Sequence, residues 1–159
     1  MNDLTRESDL VDFGELSPAV NELLQKGVLA YRSDKARADE LFREALELSP
    51  HELPAYYCLY KIHTYMGNLE VAWIVANQGL EEALRQCGWP LDPHSWPLKE
   101  TAPGSPERFA LYTLKALSFI QLKRGNKPKA MENLDILRVL DPKGYVGWTV
   151  IYELAQGIA

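Results

Sequence analysis

A chain of 159 residues with 47% hydrophobic and 25% charged residues is the size of one domain and can bury a core without staples. Its net charge of −5 gathers at the N-terminus, where Asp3, Glu7, Asp9, Asp12 and Glu15 face Arg6 alone, so the nearly neutral body lacks the basic face a nucleic-acid binder needs. Two cysteines, Cys58 and Cys87, make no disulfide framework; no secretory leader and no apolar run near the roughly 18–20 residues of a membrane span is present, which points to a cytoplasmic protein.

Residues 1–16 hold few apolar side chains and predict an acidic tail that is mobile or only loosely docked, with a single domain over 17–159. Ser17-Pro18 marks the first helix start, Ser as N-cap and Pro in the first turn. Three windows then repeat a helix, turn, helix pattern: 27–50, 59–84 and 117–142. Ala38 to Ala72, Phe42 to Ala76 and Ala45 to Gly79 are each 34 residues apart. Gly67 to Gly125 and Ala72 to Ala130 are 58 apart, one period plus 24 residues. Small residues recur where paired helices must approach closely: Gly27 on a first helix, and Ala38, Ala72 and Ala130 on second helices. A bulky side chain at such a site costs about 1–3 kcal/mol. Gly67-Asn68 and Gly125-Asn126 supply residues that tolerate positive φ at a helix end. Pro50 and Pro142 stop second helices.

The 24 additional residues fall between the second and third units. Leu69 to about Cys87 reads as one long helix ended by Gly88, and Ser105-Pro106-Glu107 starts another. Between them, residues 88–105 hold Pro90, Pro93, Pro97 and Pro103, which preclude a helix through the stretch. Trp89 and Trp96 in this insert have two readings. Both rings pin the loop to the lengthened helices, or one is a candidate contact for a partner. After Pro142, residues 145–156 predict a last helix, with Val146, Trp148, Val150, Ile151 and Leu154 covering the open apolar face of the third unit.

With these residues in place the chain resembles the tetratricopeptide repeat family. That family's pattern runs Trp-x2-Leu-Gly-x2-Tyr, then Ala-x3-Phe, then Ala and Pro. The first unit keeps Leu24, Gly27, Ala38, Phe42, Ala45 and Pro50, with its turn one residue short. The second keeps Tyr56, Leu59, Gly67, Ala72 and Leu80, with Tyr60 at the usual Gly of the first helix. The third keeps Leu114, Leu117, Gly125, Ala130, Leu134 and Pro142, with Ser118 at that Gly site. The resemblance covers about residues 19–142. It implies an all-α fold, a right-handed α-α superhelix of three helix-turn-helix repeats (about 19–50, 53–86 and 106–142) plus a C-terminal capping helix. It also implies a concave groove lined by first helices, offering Leu24, Val28, Tyr31 and Arg32, then Tyr57, Lys61, Thr64 and Tyr65, then Tyr112, Lys115, Phe119, Leu122 and Lys123. Helical spacing agrees independently for Tyr57, Lys61 and Tyr65, which are i, i+4 neighbours, and for Tyr112, Lys115 and Phe119.

Relatives that grip the acidic C-terminal tail of chaperones use a Lys-Asn-Asn-Lys-Arg clamp. The matching positions here are Leu24, Val28, Cys58, Tyr112 and Ala116, so that clamp is not kept. His51, His63 and His94 show no zinc spacing, and Cys58 and His63 fall on different faces of one helix. No phosphate-binding glycine loop appears. The expectation is a non-catalytic adaptor without cofactor or metal, holding a protein or peptide in the groove. The alternative is a type III secretion-like chaperone, matched in size and layout. The acidic tail, with Leu4, Leu10, Val11 and Phe13, is a second candidate for the groove's lysines.

Overall fold

The computed structural model describes residues 13–157. Seven α-helices follow in chain order, with no strand among the described residues: α1 (Pro18–Ala30), α2 (Lys35–Leu48), α3 (Pro54–Tyr65), α4 (Leu69–Cys87), α5 (Pro106–Lys123), α6 (Lys127–Leu140) and α7 (Trp148–Gln156). Proline opens α1, α3 and α5, where its missing N–H costs nothing and its fixed φ suits the first turn. Side chains cap three of the starts. Asp34 accepts the Arg37 N–H at 3.0 Å, Ser105 Oγ that of Arg108 at 3.1 Å, and Asn126 that of Lys129 at 3.3 Å. Ser17 does not cap its own helix. Its N–H and Oγ donate to the Glu52 carboxylate at 2.9 and 3.1 Å, tying the start of α1 to the start of α3.

Short turns fold α1 onto α2, α3 onto α4, and α5 onto α6. The second and third of these turns close alike. The Asn68 N–H donates to the His63 carbonyl and the Asn126 N–H to the Gln121 carbonyl, both at 2.8 Å. Gly67 and Gly125 adopt φ of 79° and 82°, which admits this closure without a Cβ clash. The first turn has no glycine and closes instead through the Asp34 N–H to the Ala30 carbonyl at 2.7 Å. Ala38, Ala72 and Ala130 are fully buried, each four residues after the cap that starts its helix. At Gly27 a Cβ would lie 2.2 Å from Phe42 Cε1, so only glycine lets α1 close on α2.

Successive helices also pack between hairpins, α2 on α3 and α4 on α5, building one buried core. Arg124, just past α5, reaches Glu70 in the first turn of α4 at 3.4 Å, so α4 and α5 run antiparallel. Among residues 89–105 the only helical piece is a short 3-10 turn at Pro93–Ser95. Trp96 is 4% exposed, its Nε1–H donates to the Pro90 carbonyl at 2.7 Å, and its ring lies 5.4 Å from that of Trp89. Both rings thus secure the insert, and Trp96 is not offered to a partner.

Two further expectations change. Phe13 and Leu16, in the stretch expected to be mobile or only loosely docked, pack against the core, because both are large apolar side chains beside the α1 entry; residues 1–12 of that tail lie outside the described residues. The last helix starts at Trp148 and not at Tyr145. Gly147 takes a left-handed φ of 81°, and the Asp141 carboxylate captures the N–H groups of Tyr145 and Val146 at 3.1 and 3.0 Å. Val146, Trp148 and Ala155 are buried, and Ile151 is half-buried. Val150 and Leu154 point outward instead of covering the third unit.

Candidate functional site

The first helices of the second and third hairpins, α3 and α5, are bridged by tyrosine side chains. Tyr57 meets Tyr112 edge-on, centroids 5.5 Å apart, and meets Tyr60 at 5.8 Å. The Tyr60 hydroxyl shares a hydrogen bond of 3.3 Å with Thr113 Oγ1. Lys61 is buried, 6% exposed, and its ammonium donates to the Tyr57 hydroxyl at 2.6 Å. It also stands 5.0 Å from the Tyr57 ring centre and 5.7 Å from that of Tyr65. On α5 the Lys115 ammonium sits 4.1 Å over Tyr112 and that of Lys123 sits 5.4 Å over Phe119. The two helix faces therefore interleave ammonium groups with aromatic rings.

The electrostatics follow from burial. Lys115 is pushed down to about 8, first by burial and then by the neighbouring charge of Lys61. Burial raises Tyr57 and Tyr112 above the ordinary phenol range, so both hydroxyls keep their protons at neutral pH. Cys58, also on α3, is fully buried with its thiol raised by burial, and so is unreactive. The α3 helix carries no Asp or Glu, and α5 carries only Glu107, in its first turn, 4.0 Å from Lys99.

The remaining expected groove residues separate into two groups. Leu24 is fully buried and Val28 is 2% exposed; Leu122 is also buried, so all three belong to the core. Periodicity alone does not distinguish a groove-facing leucine from a core one, and these apolar side chains gain more by leaving water. Tyr31 is buried under the Lys35 ammonium at 5.0 Å, Arg32 is half-buried, and Thr64 returns its hydroxyl to the Tyr60 carbonyl at 2.7 Å. Thus α1 adds no exposed apolar side chain from the expected set, and the coherent face is that of α3 and α5. Tyr60 joins the two helices from the position where the family pattern has glycine. Its size there is the sequence signal that the two first helices are spaced by an aromatic ring.

His63 Nε2 lies 2.6 Å from Asp39 Oδ1 and Nδ1 lies 3.2 Å from the Asn68 amide, so both ring nitrogens are engaged in joining α2 to the α3–α4 turn. Among the described residues no group of three His, Cys, Asp or Glu side chains could hold a metal ion. A depression of about 520 Å³ bordered by Glu47, Tyr56, Glu81, Glu82 and Arg85 opens elsewhere, between α2, α3 and α4. Its Arg85 is already held by Glu82 at 2.5 Å. Among the described residues no helix is long and apolar enough to cross a membrane.

Compared with protein-family models, with curated proteins and with solved structures, the chain gives no match.

Proposed function

We propose that this chain is a non-catalytic, cytoplasmic interaction scaffold of the tetratricopeptide type, holding a peptide or helical segment of a protein partner against α3 and α5. The observation that carries this reading is the face itself. Tyr57, Tyr112 and Phe119 are half-buried and Tyr65 is half-exposed, and ammonium groups lie over their rings. Rigid aromatic side chains give contact area at low rotamer cost, and lysines beside them fix polar groups of a bound chain. The shared register of Ala38, Ala72 and Ala130, the matching closures at Gly67 and Gly125, and the α1–α3 tie at Ser17 support a superhelical stacking of the three hairpins. Such stacking sets first helices side by side as one continuous surface.

The test is affinity capture from the source cells with mass spectrometry, run in parallel with Phe119→Ala and Tyr112→Ala variants whose circular dichroism melts are checked first. A protein enriched by the parent chain and lost from both folded variants is the expected result. Partners captured equally by all three proteins would reject the face.

A further inference from the structure

The chain enters the fold beside the start of α3. Phe13 and Leu16 pack against the core, and Ser17 donates its N–H and its hydroxyl to the Glu52 carboxylate, just ahead of Pro54. The α3 helix runs antiparallel to α4, and α4 to α5, so α3 and α5 point the same way and the chain enters at one end of their shared face. Residues 1–12 hold Asp3, Glu7, Asp9 and Asp12 against Arg6, with Leu4, Leu10 and Val11 among them. Twelve residues of extended chain reach about 40 Å, whereas the 12 residues of α3 and the 18 of α5 rise about 18 and 27 Å. The segment is long enough to follow the whole face.

Charge favours that course. The two helices carry Lys61, Arg108, Lys115 and Lys123 against Glu107 alone, and Glu107 faces Lys99 at 4.0 Å. Lys115 and Lys123 lie over the Tyr112 and Phe119 rings at 4.1 and 5.4 Å, and neither meets a carboxylate within ion-pair distance among the described residues. Burial and the charge of Lys61 both disfavour the Lys115 ammonium, so a carboxylate brought to this face relieves it. The depression between α2, α3 and α4 is bordered by Glu47, Glu81 and Glu82 and repels the same segment. Tethering raises the local concentration of the segment to about the mM range, so its docking needs little affinity of its own.

We propose that residues 1–12 of this chain are an internal ligand of the α3–α5 face. Their carboxylates lie along the ammonium groups of α5, and Leu4, Leu10 and Val11 seat against the Tyr112 and Phe119 rings. A partner segment must displace them to bind. The inference rests on the peptide-binding reading above and names the first occupant of that face.

The test uses the full chain with one nitroxide, placed by Ser8→Cys in a Cys87→Ser background, since Cys58 is fully buried. It reads the paramagnetic loss of amide NMR signals. Signals from Tyr57 to Tyr65 and from Tyr112 to Lys123 are expected to be lost. They should return in a Lys115→Met/Lys123→Gln variant confirmed folded by circular dichroism, and at about 1 M salt, where the screening length falls to about 3 Å. A mixture of nitroxide-bearing chains without isotope and isotope-enriched chains without nitroxide should lose none of them. Losses in that mixture assign the segment to a second copy and overturn the proposal. So do losses centred on other helices, and losses on α3 and α5 that survive in the folded lysine variant. No loss anywhere overturns it as well, and the capture experiment above then decides the face separately. Partners lost from the Phe119→Ala and Tyr112→Ala variants leave the peptide surface standing, whereas partners held by both remove it too.

Discussion

Gly27 is the residue at which the α1–α2 hairpin has least room. A Cβ there would stand 2.2 Å from Phe42 Cε1 and 2.7 Å from Cδ1, and Phe42 is fully buried with nowhere to turn. Gly27→Ala is therefore expected to destabilise the chain by about 1–3 kcal/mol, despite alanine's better helix propensity. Urea unfolding measures it. Phe42→Leu alone loses ring packing, yet it should absorb part of the Gly27→Ala penalty, so the double variant is expected to be more stable than the sum of the singles. Strict additivity would show that the contact does not decide the cost. Asp39 is a second local case. Burial opposes its charged form, but hydrogen bonds from His63 and Arg43 outweigh burial and lower it below the ordinary aspartate value. A folded-state value below the unfolded one means that Asp39 stabilises the fold above the unfolded pKa. That contribution is lost as pH falls through the folded value, below about pH 4. Asp39→Asn should cost on the order of 1 kcal/mol at pH 7 and make the melting temperature less sensitive to pH between about 4 and 2, as followed by circular dichroism. A variant with the same acid slope as the parent would count against the assignment.

At the level of helices, boundaries are legible wherever a cap or a breaker speaks for itself. Gly88 and Ser105-Pro106 mark the end of α4 and the start of α5 in the sequence as they do in the structure, because capping and left-handed φ are local chemistry. The start of α7 is not legible in this way. Apolar periodicity runs unbroken from Val146, while the break is made by Asp141, whose carboxylate holds two backbone N–H groups and whose carbonyl accepts the Trp148 indole N–H at 2.7 Å. Replacing Asp141 with Ala leaves those N–H groups without their acceptor and should cost about 1–3 kcal/mol. Hydrogen exchange is expected to quicken in residues 145–156 before the rest of the chain responds; uniform quickening would refute a local role. The site divides on similar grounds. Tyr57, Lys61 and Tyr65 are legible as sharing one face of α3, because their i, i+4 spacing brings the Lys61 ammonium near both rings. Leu24 and Val28 are not, since an apolar side chain on α1 reads the same whether it faces a partner or the core.

Across the whole molecule, Lys115 of α5 works against stability. Lys115 has a folded-state value of about 8, far below that of an exposed lysine near 10.4. Between those values the unfolded chain binds more protons than the folded one, so this group makes stability rise with pH from about 8 toward 10. The buried phenols act in the opposite direction above about pH 10, where unfolded tyrosines ionise first and Tyr57, Tyr60 and Tyr112 stay protonated. A maximum near pH 9–10 is therefore expected in a melting-temperature profile. Lys115→Met retains the apolar stem and removes the charge that burial and Lys61 both disfavour, so it should stabilise the chain by about 1–2 kcal/mol at pH 7 and flatten the rise above pH 8. A Lys115→Met protein that melts lower than the parent at pH 7, with helix content unchanged, would show instead that the ammonium is part of what holds α3 and α5 together.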